Sequence, residues 1–145
     1  MSLPDALSAS QLIFVDTAPI IYFVEKHPRY FGLVEPIFER VDDERLAPVV
    51  SPITLAECLV HPYRLGHKES TRMFKELLTR RMRFVPIEAT VASRAAMLRA
   101  LYNLSLPDAL QCAVAIESAC DTFLTNDSAL KRVTGLNVIV LDDLR

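Results

Sequence analysis

The stretch Leu12-Ile13-Phe14-Val15-Asp16 decides the fold class. Four apolar residues, rich in β-formers, end in a single carboxylate, which is typical of a strand buried on both faces. Strands of this kind belong to parallel sheets, whose functional side chains lie at the carboxyl ends of the strands. We therefore predict a buried strand over 12–16, with Asp16 at the sheet edge where a site would form.

The same alternation of short apolar runs and helical patterns continues along the chain. After a loose tail over 1–11, further strands are predicted over 47–50, 83–86, 121–125 and 137–141. Helices are predicted over 17–26, 30–44, 52–62, 68–81, 88–103 and 105–119, with a short one over 127–133. Short strands separated by helices are typical of a parallel sheet covered on both faces. The sequence thus predicts one α/β domain over residues 1–145.

Composition agrees with a single globular domain and excludes some functions. The chain has 145 residues, 51% hydrophobic and 23% charged, with a net charge of −2. That balance counts mildly against a nucleic-acid binder, although an acidic metal site would offset basic residues elsewhere. There are only three glycines, and neither GxxxxGK[ST] nor GxGxxG is present. P-loop nucleotide hydrolases and ordinary dinucleotide binders are therefore disfavoured.

The expected compartment is the cytoplasm. Cys58, Cys112 and Cys120 are odd in number and lie in apolar stretches without a CxxC spacing, which favours buried reduced thiols. The N-terminus has no basic segment followed by an apolar run, so we predict no secretory signal. No apolar run reaches the roughly 18–20 residues of a membrane span. We expect no association with a membrane.

Four carboxylates form the candidate site. Asp16 and Asp127 follow the first and fourth strands, Glu57 lies in the helix after the second strand, and Asp108 opens the helix before the fourth. Three of them belong at one edge of the sheet, and Asp108 joins them only if its helix start folds over that edge. Asp121 begins a strand, so it is expected at the opposite edge.

Each of these residues also has an ordinary structural explanation. Asp16 and Asp127 could cap the helices that follow them, and Asp108 fits a capping pattern with Ser105. Glu57 stands in an otherwise apolar stretch, where a salt bridge or a position at the rim would account for it. A cluster of carboxylates requires either a cation or raised pKa values. Ligands that are all oxygen suit Mg²⁺ or Mn²⁺.

Four motifs in order resemble PIN-domain nucleases, especially the toxins of VapBC-type toxin–antitoxin pairs. They cover Ile13–Thr17 with Ile20–Tyr22, the S-x-x-T-x-x-E pattern of Ser51–Glu57, Leu104–Gln111, and the T-N-D-x-x-L pattern of Thr125–Leu130. The closing strand over Val138–Leu141 also matches. The main departure is Gln111, which stands where a small or aliphatic residue is frequent. The resemblance extends from about residue 12 to the C-terminus.

The resemblance implies a three-layer α/β/α PIN-like domain with a parallel sheet of about five strands. It implies an endoribonuclease that depends on Mg²⁺ or Mn²⁺, held by Asp16, Glu57, Asp108 and Asp127. Thr17, Thr125 and Asn126 are candidates for orienting those carboxylates. The resemblance also implies a homodimer and a small antitoxin partner that blocks the site, with some of the aromatic residues Tyr22, Phe23, Tyr30 and Phe31 lining its groove.

The RNA itself would need a basic surface. The best candidate is a stripe between residues 64 and 83, whose main members are Arg64, Lys68, Arg72, Lys75 and Arg80. An ordinary solvated helix face explains the same residues equally well. The alternative for the whole chain is a non-catalytic module that keeps the fold and binds only a protein or RNA partner.

Overall fold

The elements were determined from a computed structural model, which describes Leu7 and residues 11–144. Most of the tail predicted over 1–11 therefore lies outside the described residues. The strands are β1 (Leu12–Val15), β2 (Ala47–Val50), β3 (Arg83–Phe84), β4 (Thr122–Thr125) and β5 (Val138–Val140). The α-helices are α1 (Thr17–Val24), α2 (Phe31–Asp42), α3 (Pro52–Leu65), α4 (Lys68–Glu76), α5 (Ala89–Tyr102) and α6 (Leu106–Glu117).

The five strands form one parallel sheet in the order β3-β2-β1-β4-β5. Successive side chains of a strand point to opposite faces, so the apolar runs supply two cores. Ile13 and Val15 pack into one core with α1–α4, whereas Phe14 packs into the other with α5 and α6. The predicted three-layer α/β/α architecture with a five-stranded parallel sheet is confirmed.

Two helices on the first face differ from their predicted ends. The helix predicted to end near Pro62 continues to Leu65, and Gly66 closes it in a left-handed conformation with a φ of 66°. The N–H of His67 then bonds the Pro62 carbonyl at 2.9 Å, which gives the helix a satisfied end beyond the proline. The helix predicted over 68–81 is α4 followed by a π turn over Leu77–Arg81.

Smaller differences are local. β3 ends at Phe84, two residues before the predicted end, although the Val85 N–H still bonds the Val50 carbonyl at 2.9 Å. On α5, Leu101 is 67% exposed although it follows the buried Leu98 by three residues. Tyr102, four residues after Leu98, continues that buried stripe instead. The last element, a 3₁₀ turn over Leu141–Asp143, was not predicted.

Within residues 11–144, none of the helices has the length and apolar character needed to cross a membrane.

Candidate active site

Asp16 lies at the point of the sheet where the strand order reverses, between β1 and β4. In open α/β sheets, this is the position at which ligands bind. Its N–H bonds the Leu124 carbonyl at 2.9 Å, which extends the pairing of β1 with β4 by one residue. Its Oδ1 accepts the Thr17 N–H at 2.9 Å and so caps α1. The capping explanation is therefore correct, but it uses only one carboxylate oxygen.

The second carboxylate oxygen of Asp16 accepts a hydrogen bond from β4. The Thr125 hydroxyl donates to Asp16 Oδ2 at 2.8 Å and accepts the Asp127 N–H at 3.1 Å. Asp127 in turn accepts the Ala129 N–H at 3.0 Å through Oδ1 and caps the 3₁₀ turn over Ser128–Arg132. Thr125 thus connects two of the carboxylates and fixes their spacing.

Glu57 reaches the same edge from α3. The Thr17 hydroxyl donates to its Oε1 at 2.7 Å. Glu57 is exposed, and it takes no part in the ion pairs found among the described residues. Of the two ordinary explanations, the structure supports a position at the rim rather than a salt bridge.

Asp108 completes the group because the start of α6 folds over this edge. Its N–H bonds the Ser105 hydroxyl at 3.3 Å, as the capping pattern predicted. Its charge acts on Asp16, and the charge of Asp127 acts on Asp108, so the three aspartates are neighbours. By contrast, Asp121 accepts the N–H groups of Gln11 and Leu12 at the opposite edge, as expected.

The electrostatics of the cluster follow from burial and like charge. Burial raises the pKa of Asp16 from 3.8 to about 6, with further contributions from the charges of Asp108 and Glu57. Hydrogen bonds from Thr125 and the Thr17 N–H oppose that shift. Burial also raises the pKa of Asp108, and the Asp127 charge adds to the effect. The folded chain therefore resists full ionisation of this site.

A buried polar network behind the site joins α3 to α6, and sequence reasoning missed it. The Ser51 hydroxyl donates to Gln111 Oε1, and Gln111 Nε2 donates to Thr54 Oγ1 at 2.9 Å. All three side chains are buried. From the sequence, Ser51 and Thr54 were recognised only as members of a family pattern and Gln111 only as a departure from one. A glutamine in the apolar face of α6 was the available signal, since a buried amide needs partners.

The donor set suits a hard divalent cation, although the side chains do not form a closed ligand set. Within the described residues, no three His, Cys, Asp or Glu side chains converge as a ready-made metal site. Glu57 and Asp127 are turned toward hydrogen bonds with Thr17 and Ala129. Thiols do not compete, because burial raises the pKa of the nearby Cys112 to about 12. Oxygen ligands without a thiolate favour Mg²⁺ or Mn²⁺.

Members of the predicted basic stripe share surface grooves but differ in their other neighbours: Lys68, Arg72 and Lys75 line one groove, and Arg72, Lys75 and Arg80 line another. Arg64 follows Glu57 by seven residues on α3, so the two share a helix face. On α4, Arg72 pairs with Glu69 and Glu76, and Lys75 Nζ lies 5.7 Å from the Tyr63 ring centroid. Lys68 begins that helix. Arg80 lines a groove with Gln11 and Ala47 at the amino ends of the strands, so the structure does not bring it to the carboxylates.

Fold and site together define a three-layer α/β domain with an acidic site at its topological switch point. A family model described as PIN domain matches residues 13–136, and the chain belongs to that family. A comparison with curated proteins gives no match.

Solved structures with the same fold include several toxin–antitoxin proteins. VapBC2 from Rickettsia felis, bound to a DNA fragment from its promoter, aligns with a TM-score of 0.71 at 19% identity over 90% of this chain and 98% of that one. FitAcB from Neisseria gonorrhoeae aligns with a TM-score of 0.69 at 20% identity over 91% and 99%. Mycobacterium tuberculosis VapC20, a sarcin–ricin loop cleaving toxin, aligns with a TM-score of 0.64 at 16% identity over 77% and 86%.

The raised pKa of Asp16 gives the stability of the metal-free protein a definite pH dependence. A carboxyl with a folded pKa of about 6 stabilises the fold below its unfolded pKa, and this contribution is lost as pH rises through 6. In EDTA, the free energy of unfolding should fall between about pH 4 and pH 6, by up to about 3 kcal/mol. Urea denaturation at several pH values across this range measures the free energy of unfolding. Asp16→Asn should flatten the profile, and an unchanged slope in that variant would assign the effect to another group.

Proposed function

We propose that this chain is a metal-dependent endoribonuclease and the toxin of a toxin–antitoxin pair. The observation that carries the proposal is the position of Asp16 at the switch point, where the charges of Asp108 and Glu57 act on it and the charge of Asp127 acts on Asp108. A carboxylate cluster that resists ionisation is suited to bind a cation. Family membership and the RNA-cleaving VapC20, which shares the fold, support the same conclusion.

These four carboxylates would hold Mg²⁺ or Mn²⁺. When bound, such an ion lowers the pKa of a water and offsets negative charge on the phosphate and leaving oxygen. The chain's own residues set the geometry: Thr125 and the Thr17 N–H hold both oxygens of Asp16, and the Thr17 hydroxyl holds one oxygen of Glu57. A carboxylate that is not bound to the metal could act as general base, and Glu57 is the candidate for that role because it is exposed and reaches the site from the rim. Because the proposed substrate is cellular RNA, we propose that the protein acts in the cytoplasm.

Cleavage of a mixed cellular RNA pool tests the proposal directly. Purified protein should cut RNA with Mg²⁺ or Mn²⁺ and not in EDTA. Asp16→Asn should lower the rate at least about 100-fold, because it removes a charged ligand from the site. Asp42→Asn, at the exposed end of α2, is the matched control and should cut like the wild type.

A thermal shift distinguishes the proposed function from the alternative, a non-catalytic module. If the proposed function is correct, millimolar Mn²⁺ should raise the melting temperature of the wild type, since a ligand of the folded state stabilises it. A folded protein that shows neither a thermal shift nor cleavage supports the module. Cutting that persists in both EDTA and Asp16→Asn would refute the proposed mechanism.

The path of the RNA is proposed to run along α3 from Glu57 toward Arg64. Seven helical residues span about 10 Å, so Arg64 can contact a phosphate beside the cut site. Lys68 and Lys75 would extend this path, and Arg72 is drawn into pairs with Glu69 and Glu76. Arg80 is excluded by its position at the opposite edge.

Arg64 and Arg80 therefore form a matched pair for kinetic measurements. Arg64→Ala should raise KM several-fold with little change in kcat and should weaken the salt dependence of binding. Arg80→Ala should leave both constants unchanged. Equal effects of the two substitutions would mean that charge acts only through the total field of the protein.

The proposed antitoxin has a fitting groove between α1, α2 and α4. Its apolar lining includes Phe23, Phe31, Met73 and Leu77, with charged residues such as Lys26 and Glu35 at the margin. Met73 is 41% exposed, and Phe23 stacks on Phe31 with ring centroids 5.8 Å apart. An apolar groove with a charged rim fits an amphipathic segment of a partner. Solved VapBC complexes with this fold support an antitoxin as that partner, and a homodimer remains a prediction from the family.

Met73→Glu should abolish the proposed partner's binding, because it places a charge in the apolar floor. The measurement is joint expression with a candidate antitoxin, followed by co-purification. Leu65→Glu, at an equally exposed apolar residue outside the groove, should retain the partner. Loss of binding in both variants, or in neither, would place the partner elsewhere.

A further inference from the structure

The side chain of Asn126, directly before Asp127, is held at both of its ends. Its Nδ2 donates to the Tyr22 hydroxyl at 3.2 Å, and its Oδ1 accepts the Asp142 N–H at 3.0 Å. Tyr22 lies on α1, and Asp142 lies in the 3₁₀ turn over Leu141–Asp143. Two elements remote in sequence therefore meet at the residue that leads into a site carboxylate.

Asp142 is itself fixed from α2. The Tyr30 hydroxyl donates to Asp142 Oδ1 at 2.6 Å, and Arg29 lies 3.5 Å from the same oxygen. The rings of Tyr30 and Tyr22 stack with centroids 4.4 Å apart and planes 17° apart. Tyr30 is only 8% exposed, which leaves it little surface for contact with a substrate. The bonds thus run from Tyr30 through Asp142 to Asn126, with the stacked rings behind them.

We propose that Tyr30 and Asp142 are positioning residues for Asp127, acting through Asn126; this role rests on the proposed metal site. The Asp127 N–H is already held by Thr125, so the Asn126 side chain is the second anchor of the same short segment. The two anchors restrict rotation of the peptide leading into Asp127 and so favour the orientation in which its charge acts on Asp108. Groups that orient a ligand in this way tune metal affinity without touching the metal.

The test measures Mn²⁺ affinity and RNA cleavage by the full chain at pH 7. Tyr30→Phe removes one hydroxyl and keeps the stacked ring. It should weaken Mn²⁺ binding about tenfold and lower kcat, with KM for RNA unchanged. Asp142→Ala should do the same. Asp142→Asn, which keeps the accepting oxygen and the backbone N–H, should restore wild-type behaviour. Tyr63→Phe, at a tyrosine 58% exposed on α3, is the matched control.

A double variant distinguishes this role from general support of the fold. If the hydroxyl and the carboxylate act as one unit, Tyr30→Phe combined with Asp142→Ala should lose no more Mn²⁺ affinity than Asp142→Ala alone. Wild-type affinity and kcat in Tyr30→Phe would overturn the inference, even if its melting temperature fell. A wild-type protein that binds no Mn²⁺ would refute the metal site itself and this role with it.

Discussion

The parallel pairing of β1 with β4 is the interaction on which both the fold and the site depend. Phe14 is in register with Phe123, and their rings stack at 5.0 Å within the second core. The same register places Asp16 opposite Thr125, because the Asp16 N–H bonds the Leu124 carbonyl. A slip of one residue would exchange the two faces of the strand. Packing of the core thus places the Thr125 hydroxyl where its two hydrogen bonds align Asp16 with Asp127.

The ordinary and the functional explanations of the carboxylates turn out to be compatible. A carboxylate has two oxygens, and Asp16 uses Oδ1 to cap α1 and Oδ2 to meet Thr125. Asp127 likewise caps a 3₁₀ turn while its N–H is tied to Thr125. Helix N-termini carry partial positive charge, so capping also offsets some of the repulsion within the cluster. Local structure and the acidic site therefore support each other here.

Sequence alone located what depends on local signals. The buried strands, the start of α3 at Ser51–Pro52 and the four acidic positions all follow from short patterns. Contacts between residues distant in sequence could not be predicted from short patterns. Ser51 bonds Gln111 across 60 residues, and Tyr30 bonds Asp142 across 112. The position of Arg80 was also not predictable from the sequence. The segment from α3 through α4 returns from the carboxyl edge to the amino edge, so charges at its two ends serve opposite sides of the sheet.

The burial of Asp16 links the stability of the fold to whatever neutralises the site. Near or below pH 6 a proton can neutralise the Asp16 carboxylate, because the pKa of Asp16 is about 6. Above that pH the carboxyl ionises beside Asp108 and Glu57, whose negative charges repel it. The carboxylates gain no arginine or lysine partner among the ion pairs of the described residues. At neutral pH this unrelieved repulsion between like charges is a physical argument, independent of the chain's relatives, for the cation proposed at the site.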